Sequence, residues 1–222
     1  MDACKIERLF DLSHTMAGEL LSRFEYPWQA LPHIKDFVRS LGAALSPEEY
    51  DNPFPEVYVA KDVKIPPTAT LCGPAIIGRG CEIRPGAYIR GAVLVGEGCV
   101  IGNSCELKNA ILFDKVQVPH FNYVGDSILG YASHTGAGAI TSNVKSDKTA
   151  VSIATPEGRI ETELKKCGAF LGDFAEIGCN AVLNPGTVIG RSSVVYPLTS
   201  VRGLVPEESI CKSSDIIVKK HR

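Results

Sequence analysis

The sequence predicts an all-β fold, a parallel β-helix preceded by an N-terminal helical cap, because large apolar residues recur with a period of six. Neither an α-helix, which buries every third or fourth residue, nor a strand, which buries every second, explains that period. A coil with three sides of six residues does, and such coils stack at the strand spacing of about 4.8 Å. The first run of anchors is Val59, Ile65, Leu71, Ile77, Ile83, Ile89, Val95, Ile101, Leu107 and Phe113.

The same period returns later in other frames. One frame places anchors at Leu129, Thr135 and Thr141. Another places them at Leu171, Ile177, Leu183, Ile189, Val195 and Val201. Phe113 and Leu129 are 16 residues apart, which is not a multiple of six. We therefore expect the chain to bulge or slip at residues 119–126 (PHFNYVGD) and to re-aim His120 and Tyr123 there.

Two segments fall outside the repeat. Residues 1–56 have apolar spacings typical of short helices, the second of which should end at Gly42. We expect this cap to cover the open end of the solenoid, where strand edges would otherwise be unpaired. The β-helix domain then spans 57–222, with a looped-out hairpin at about 144–168. The basic ending, 219–222, is interpreted as a solvated tail.

Composition narrows the possible partners. Hydrophobic residues make up 45% of the chain and the formal net charge is -2, which gives no electrostatic reason to expect nucleic acid or an anionic membrane. The first ten residues do not resemble a secretory signal, and no stretch approaches the roughly 20 apolar residues of a membrane span. We therefore predict a soluble, cytoplasmic protein. The eight cysteines include no C-x-x-C, and we interpret them as reduced structural thiols.

Three polar residues directly follow anchor positions of the first frame: Arg84, Lys108 and His120. Arg84 and His120 are 36 residues apart, so two full coils should place them about 10 Å apart on one edge. Lys108 is offset by one face, so one prism cannot bring all three to one small ligand. A neighbouring chain could, which favours a site between subunits of a three-fold oligomer. Taken singly, each is equally well explained as a solvated charge or a loop histidine, and Tyr123 as an aromatic plug.

Four motifs carry a resemblance to a known family. Residues 84–86 (RPG), 106–108 (ELK), 120–126 (HFNYVGD) and 136–143 (GAGAITSN) follow in an order and spacing similar to the acetyltransferase domain of bacterial N-acetylglucosamine-1-phosphate uridyltransferase/glucosamine-1-phosphate acetyltransferase. The later GRIETELKKCGAFLGD resembles the C-terminal β-helix of archaeal bifunctional sugar-1-phosphate nucleotidylyltransferases. The resemblance covers about residues 57–205.

The resemblance implies a left-handed β-helix, a homotrimer, and metal-free acetyl transfer from acetyl-CoA to the amine of a sugar phosphate. Arg84 and Lys108 would bind the sugar phosphate, with Tyr123 beside it. His120 would be the general base, because an ammonium must lose its proton before it attacks a thioester. Asn143 would contact the acceptor or acetyl-CoA.

The resemblance also implies a coenzyme site and shows two departures. Backbone amides around Ala137 would stabilise the tetrahedral oxyanion, and Lys148 would approach the coenzyme's phosphates. His134 stands where the family usually has Asn, and residues 143–146 read NVKS where the family usually has Asn-Tyr-Asp-Gly. Both departures touch the acceptor pocket and leave the amino sugar open.

Two other functions remain open. The family's nucleotidyltransferase half is missing from these 222 residues, so the chain could be a non-catalytic trimeric scaffold or regulatory subunit of a separate nucleotidyltransferase. A zinc or iron hydratase of the γ-carbonic anhydrase type also uses hexapeptide trimers. That site needs three histidines across an interface, whereas only His120 and His134 lie within the repeats.

Overall fold

A computed structural model describes residues 1–220 and confirms the predicted class, a left-handed parallel β-helix of hexapeptide repeats with about nine turns and helices at its N-terminus. The last two residues of the basic tail, 221 and 222, lie outside the described residues. Among residues 1–220, no helix combines the length and apolar character needed to cross a bilayer.

The helices come first. Short 3₁₀ segments at Asp2–Cys4, Leu12–His14 and Pro27–His33 alternate with α1 (Ile6–Leu9), α2 (Gly18–Leu21) and α3 (Ile34–Ala44). The third α-helix thus continues two residues beyond Gly42, where the sequence predicted its end. Strand β1 (Tyr50–Phe54) then pairs antiparallel with β2 (Val57–Ala60), which starts the parallel stack.

The remaining parallel strands form three faces. Face 3 stacks β3 (Thr70–Leu71), β6 (Tyr88–Ile89), the first halves of β9 (Glu106–Leu112) and β11 (Tyr123–Leu129), β13 (Ile140–Thr141), β18 (Val182–Leu183) and β21 (Ser200–Val201). Face 1 stacks β2, β4 (Ala75–Ile77), β7 (Val93–Val95), the second halves of β9 and β11, β16 (Ala169–Leu171), β19 (Thr187–Ile189) and β22 (Leu204–Val205). Face 2 stacks β5 (Glu82–Ile83), β8 (Val100–Asn103), β10 (Gln117–His120), β12 (His134–Thr135), β17 (Glu176–Ile177), β20 (Val194–Val195) and β23 (Ser209–Ser213), and ends with the antiparallel β24 (Ile216–Lys219).

The three corners differ in how they keep the period. The first corner joins face 1 to face 2, the second joins face 2 to face 3, and the third joins face 3 to face 1. At the third corner, only five residues separate Leu107 from Leu112 and Val124 from Leu129, since Leu107 pairs with Val124 and Leu112 with Leu129. Two consecutive coils are therefore one residue short.

This shortening corrects the predicted frame. Leu112, not Phe113, continues the inward column below Val95, while Phe113 packs against Phe10 with ring centroids 5.1 Å apart. Val118, rather than Pro119, is the next inward residue on face 2. Within PHFNYVGD, the residues PHFNYV therefore keep the six-residue spacing. The slip occurs at the last two residues of the stretch, Gly125-Asp126, and one coil earlier at Lys108-Asn109.

The third corner also carries the insertion. The chain leaves the coil after Asn143 and returns at Cys167, whose N–H donates to the Asn143 carbonyl at 2.9 Å. Between them, β14 (Ser152–Thr155) and β15 (Gly158–Glu161) form an antiparallel hairpin. Val151 packs so tightly over Gly186 that a Cβ there would lie 2.7 Å from Val151 Cγ1. The hairpin is thus fixed against the later coils.

The N-terminal helices cover a side of the solenoid and not its open end, so the predicted position of the cap is wrong. Helix α3 contacts β4, β7 and β9, and Trp28 packs against Phe170 with ring centroids 5.9 Å apart. The physical reason is the outer row of face 1, which is apolar and would otherwise face water. This row is fully buried and consists of Ile76, Leu94, Ile111, Ile128, Phe170 and Val188.

All eight cysteines are free thiols. Cys81, Cys99 and Cys105 are buried inside the coil, where their Sγ atoms donate to backbone carbonyls at 3.0–3.1 Å. These thiols act as small fillers of the interior.

Candidate functional site

His120 lies at the second corner with its imidazole exposed to solvent. It ends β10 opposite Asn103 of the preceding coil. Its backbone N–H donates to Asn122 Oδ1 at 3.0 Å, whereas its ring nitrogens make no hydrogen bond or ion pair to any of residues 1–220. The backbone is therefore held while the imidazole is available to a ligand.

The buried side chain of Asn122 fixes this turn. It is 3% exposed, and its Nδ2 donates to the carbonyls of Gly136 and Ala139 at 2.8 and 3.1 Å, one coil further on. Between His120 and Asn122 the chain takes a left-handed conformation at Phe121, with φ +52° and a ring that is 63% exposed. The sequence motif contained Asn122, but the sequence did not show that this asparagine fixes the turn through buried hydrogen bonds.

Arg84 lies at the same corner as His120, but in a different register from the one predicted. Because the intervening coil is one residue short, Arg84 is in register with Pro119 and not with His120. Its Nη1 donates to the Pro119 carbonyl at 3.5 Å, and its Nε donates to Glu82 Oε1 at 2.8 Å. That hydrogen bond with Glu82 raises the pKa of Arg84, so the guanidinium beside His120 is charged and already paired.

At the third corner, Asn109, Asp126 and Asn143 form a ladder across three successive coils. Asp126 is 4% exposed, and its Oδ1 accepts from Asn109 Nδ2 at 2.8 Å. Its Oδ2 accepts from Asn143 Nδ2. Lys108 Nζ lies 3.1 Å from both carboxylate oxygens. The structure thus unites two predicted site residues, Lys108 and Asn143, through a carboxylate that sequence reasoning did not select.

Tyr123 joins this group from face 3. Its Oη accepts a hydrogen bond from Asn143 Nδ2 at 3.1 Å. Burial raises the pKa of the Tyr123 phenol, and the nearby charge of Asp126 raises it further. The phenol therefore stays protonated and can donate its proton to a ligand.

Two of the remaining predicted residues lie outside both groups. His134 lies in the middle of face 2, where its Nδ1 is 3.0 Å from Glu176 Oε2. Lys148 lies at the base of the insertion, with an exposed side chain that makes no ion pair or hydrogen bond within the described chain. A cavity of about 290 Å³ adjoins this base, and its lining includes Ser142, Lys145, Asn184 and Arg202.

Ala137, by contrast, lies beside His120. Gln117 pairs with His134, so three residues further on Ala137 is in register with His120, one coil away. Gly138 N–H donates to the His120 carbonyl at 3.0 Å. The Ala137 N–H has no acceptor within residues 1–220, whereas the Gly136 N–H is used by the Ile177 carbonyl at 2.6 Å. Ala137 thus supplies one free backbone donor in the coil adjacent to His120.

The two groups occupy opposite ends of face 3. His120, Arg84 and Ala137 lie at the second corner, and Lys108, Tyr123 and Asn143 lie at or near the third. Between the left-handed residues Phe121 and Asp126, the chain along face 3 spans about 16 Å at 3.3 Å per residue. A single chain therefore cannot bring both groups to one small ligand. No three His, Cys, Asp or Glu side chains of the described part of the chain are arranged to hold a metal ion.

The coil architecture and its motifs define a hexapeptide-repeat β-helix protein. Residues 71–165 match a family model described as the GMPPB C-terminal domain. This match covers less than half of the chain and confirms the resemblance to the C-terminal domains of sugar-1-phosphate nucleotidylyltransferases.

Curated relatives agree with this match. The "Bifunctional protein GlmU" of Methanococcus maripaludis (strain C5) is 31% identical over 113 residues, which are 50% of this chain and 27% of the relative. The "Bifunctional sugar-1-phosphate nucleotidylyltransferase/acetyltransferase" of Sulfurisphaera tokodaii is 33% identical over 87 residues, 39% of this chain and 22% of the relative. The chain thus spans about a quarter of the length of the curated relatives it matches.

Solved structures with some similarity include two proteins crystallised with coenzyme A. One is a variant of AntD, an N-acyltransferase from Bacillus cereus, in complex with dTDP and coenzyme A. Its TM-score is 0.36 at 15% identity, and the match covers 75% of this chain and 81% of the AntD chain. The other is PerB from Caulobacter crescentus, in complex with CoA and GDP-perosamine. Its TM-score is 0.26 at 17% identity, and the match covers 69% of this chain and 52% of the PerB chain.

Proposed function

We propose that this protein is an acetyl-CoA-dependent N-acetyltransferase that acts on an amino-sugar phosphate, with its active site between subunits of a homotrimer. The observation that carries the proposal is the corner at His120. Asn122 fixes the backbone there, the imidazole is unpaired, and the next coil offers the unpaired Ala137 N–H. A base and an oxyanion donor side by side are what acyl transfer to an amine requires. The acetyltransferase name of the S. tokodaii relative supports the same chemistry.

The faces that remain free support the proposed trimer. The outer side of face 1 is covered by the helices, so only faces 2 and 3 can meet another copy. The outer row of face 3 includes Tyr88 and Ile140, which are 37% and 39% exposed. If face 3 points toward a three-fold axis, the second corner of one subunit meets the third corner of the next. This arrangement brings His120 to the Lys108–Asp126–Asn143 group of a neighbour.

The reaction can then be written with these groups. His120 accepts a proton from the acceptor's ammonium, and the freed amine attacks the thioester carbonyl carbon. The Ala137 N–H stabilises the tetrahedral oxyanion. The nitrogen of the tetrahedral intermediate loses its second proton to solvent. When the carbon–sulfur bond breaks, the imidazolium returns its proton to the leaving thiolate of coenzyme A, so the overall reaction releases one proton. Arg84 lies near this centre, and Lys108, Tyr123 and Asn143 hold the acceptor from the neighbouring subunit.

The coenzyme has a candidate binding region at the insertion. Lys148 lies there with a free ammonium, near the cavity lined by Lys145 and Arg202. Arg202 is hydrogen-bonded only to the neutral Asn184 Oδ1, at 3.2 Å, so its charge is not neutralised. Cations of this kind suit the phosphates of acetyl-CoA.

The test is thiol release from acetyl-CoA in the presence of a panel of hexosamine 1-phosphates. We expect turnover by the wild-type protein and a 10²–10⁴-fold lower kcat, by order of magnitude, for His120→Ala. Because His120 is exposed and unpaired, this variant should fold and assemble like the wild type. Asn103→Ala, at the same corner one coil earlier, is the matched control and should retain its kcat. Turnover that is equal in His120→Ala and wild type would contradict the assignment of the base.

A second candidate is a trimeric scaffold or regulatory subunit of a separate nucleotidyltransferase. Both candidate phosphate-binding cations are already paired within the chain, Arg84 with Glu82 and Lys108 with Asp126. Absence of turnover on every acceptor, with normal trimer formation, would favour this candidate. Neither candidate depends on His134, whose place on face 2 separates it from the acceptor-binding group.

A further inference from the structure

We propose that Asp126 is the positioning residue of the acceptor site: it fixes Lys108 and turns the amide oxygen of Asn143 outward, so that this corner recognises an N–H or O–H donor of the acceptor and not its phosphate. The inference rests on the proposed function and deepens it. It assigns the third corner to the amine or a hydroxyl of the sugar.

Asp126 accepts as many hydrogen bonds as a carboxylate can. Its two oxygens receive four hydrogen bonds: two from Lys108 Nζ, one from Asn109 Nδ2 and one from Asn143 Nδ2. A carboxylate offers about four lone-pair sites, so this one is saturated. It is also buried, and losing a donor would leave a desolvated charge unsatisfied. Asp126 is therefore an internal anchor and does not itself bind a ligand.

Asp126 fixes the orientation of the Asn143 amide. An ionised carboxylate can only accept hydrogen bonds, so the Asn143 NH₂ group must point toward Asp126. The same Nδ2 also donates to Tyr123 Oη at 3.1 Å. Both amide hydrogens are thereby used inside the protein, while Asn143 Oδ1 has no donor within residues 1–220. The group that Asn143 offers to a ligand is an acceptor.

Lys108 is paired with the same carboxylate. Its ammonium is held by both oxygens of Asp126, and its side chain is only 25% exposed. The pair has no net charge, which removes most of its attraction for a phosphate dianion. A neutral corner with an outward carbonyl suits an amine or a hydroxyl instead.

The shortened corner creates this geometry. Asn109 and Asp126 both have left-handed backbones, with φ of +48° at each, which Asn and Asp tolerate better than other residues with a Cβ. They stand at equivalent places on successive coils, where five residues replace six. Asn109, Asp126 and Asn143 therefore stack at strand spacing, within hydrogen-bond reach of one another.

The experiment compares Asp126→Asn with wild type in the thiol-release assay, using glucosamine 1-phosphate as the probe. An amide at position 126 can donate, so it no longer dictates the orientation of Asn143. We expect the KM for glucosamine 1-phosphate to rise about ten-fold or more, while the KM for acetyl-CoA stays within about two-fold. Asn109→Gly keeps the left-handed backbone, removes one of the four hydrogen bonds, and should give a smaller rise of about three-fold.

Asp173→Asn is the matched control. Asp173 is also buried and ion-paired, to Arg191 at 3.2 Å, but it lies at the first corner. It should leave the KM for glucosamine 1-phosphate unchanged. An unchanged acceptor KM in Asp126→Asn, or an equal rise in Asp173→Asn, would overturn the proposal.

A second measurement does not depend on turnover. Lys108→Met and Asp126→Asn should each lower the urea midpoint of unfolding, and the double variant should lower it by clearly less than the sum. Additive effects would show that the two residues are not coupled and would overturn the positioning role, whatever the activity. If wild type turns over no acceptor while the coupling is present, the proposed enzyme fails and the assignment of an acceptor class fails with it, but the Lys108–Asp126 anchor stands.

Discussion

Two asparagines lie at the second corner, one coil apart, and they differ in burial and in the number of hydrogen bonds they make. Asn122 is 3% exposed and bridges the His120 N–H to two carbonyls of the next coil. Asn103 is half-buried and donates once, to the Pro85 carbonyl at 3.1 Å. The position of the imidazole therefore depends on Asn122 and only weakly on Asn103.

Replacing each asparagine by alanine tests this difference. Asn122→Ala leaves buried polar groups unsatisfied and should lower the free energy of unfolding by about 2 kcal/mol, whereas Asn103→Ala should cost less than about 1 kcal/mol. Urea denaturation measures both. Asn122→Ala should also lower kcat, because the base is no longer held beside Ala137. Equal stability losses would mean that Asn122 is not a clamp.

The phenol of Tyr123 gives a pH-dependent prediction. Burial raises the pKa values of Tyr26, Tyr50 and Tyr123 above the usual value. The folded protein holds these protons more tightly than the unfolded chain does, so their contribution to stability is lost as pH rises above about 10. In an ultraviolet titration of the folded protein, Tyr123→Phe should remove one of these late-titrating phenols. An unchanged late fraction would show that Tyr123 is not among them.

At the scale of elements, the anchors show what a period can and cannot predict. The frame from Leu171 to Val201 pairs coil by coil as predicted, because the spacing between its successive anchors stays at six residues. Leu112 and Phe113 are both large and apolar, so the period could not tell which one turns inward. The one-residue shift displaced Arg84 relative to His120 and hid the ladder at Asp126.

The helical segment shows a similar limit. Its apolar spacing predicted helices with one buried side, but spacing does not say which surface they bury. The helices bury the outer row of face 1, because its apolar side chains would otherwise be exposed to water. Those residues lie between the anchors, so the six-residue period of the anchors does not include them.

The contact between α3 and face 1 can be tested at Gly42. A Cβ at this position would overlap the ring of Tyr58. Gly42→Ala should therefore lower the free energy of unfolding by about 1–3 kcal/mol through overpacking, despite alanine's better helix propensity. Ser40→Ala, on the exposed side of the same helix, should be neutral or slightly stabilising. Thermal melts followed by circular dichroism distinguish the two, and a stabilised Gly42→Ala would contradict the packing.

At the scale of the whole molecule, the proposed active site requires a second copy. We expect the wild-type protein to sediment at three times its chain mass of 23.8 kDa. Ile140→Glu places a charge in the exposed apolar row of face 3 and should dissociate the trimer and abolish turnover together. Gln117→Glu, on the outer row of face 2, is the control and should remain assembled. A monomeric wild-type protein with full turnover would refute the shared site.

Asp173 lies at the contact between the N-terminal segment and the first corner, and it should make the free energy of unfolding depend on pH. Asp173 accepts from the backbone N–H groups of Asp11 and Tyr131, both at 2.8 Å, and its burial raises its pKa. The folded state thus holds this proton more tightly than the unfolded chain does. The contribution of Asp173 to stability is therefore fully present at low pH and is lost as pH rises above about 4. The difference in free energy of unfolding between wild type and Asp173→Asn should fall over that range, and a rising difference would contradict it.

The third corner gives the solenoid one place where chain length can vary freely. Within the described coils, the spacing there is five residues at Leu107 and at Val124, expands to a whole hairpin after Asn143, and is four between Val201 and Val205, while the coils above and below stay in register. New loops grafted at this edge should therefore leave the rest of the stack undisturbed. At the other two corners of the described coils the spacing stays at six residues, so we expect a residue added there to shift the register of the turns that follow. The edge is thus a natural point of attachment for engineered peptides and for the divergence of related chains.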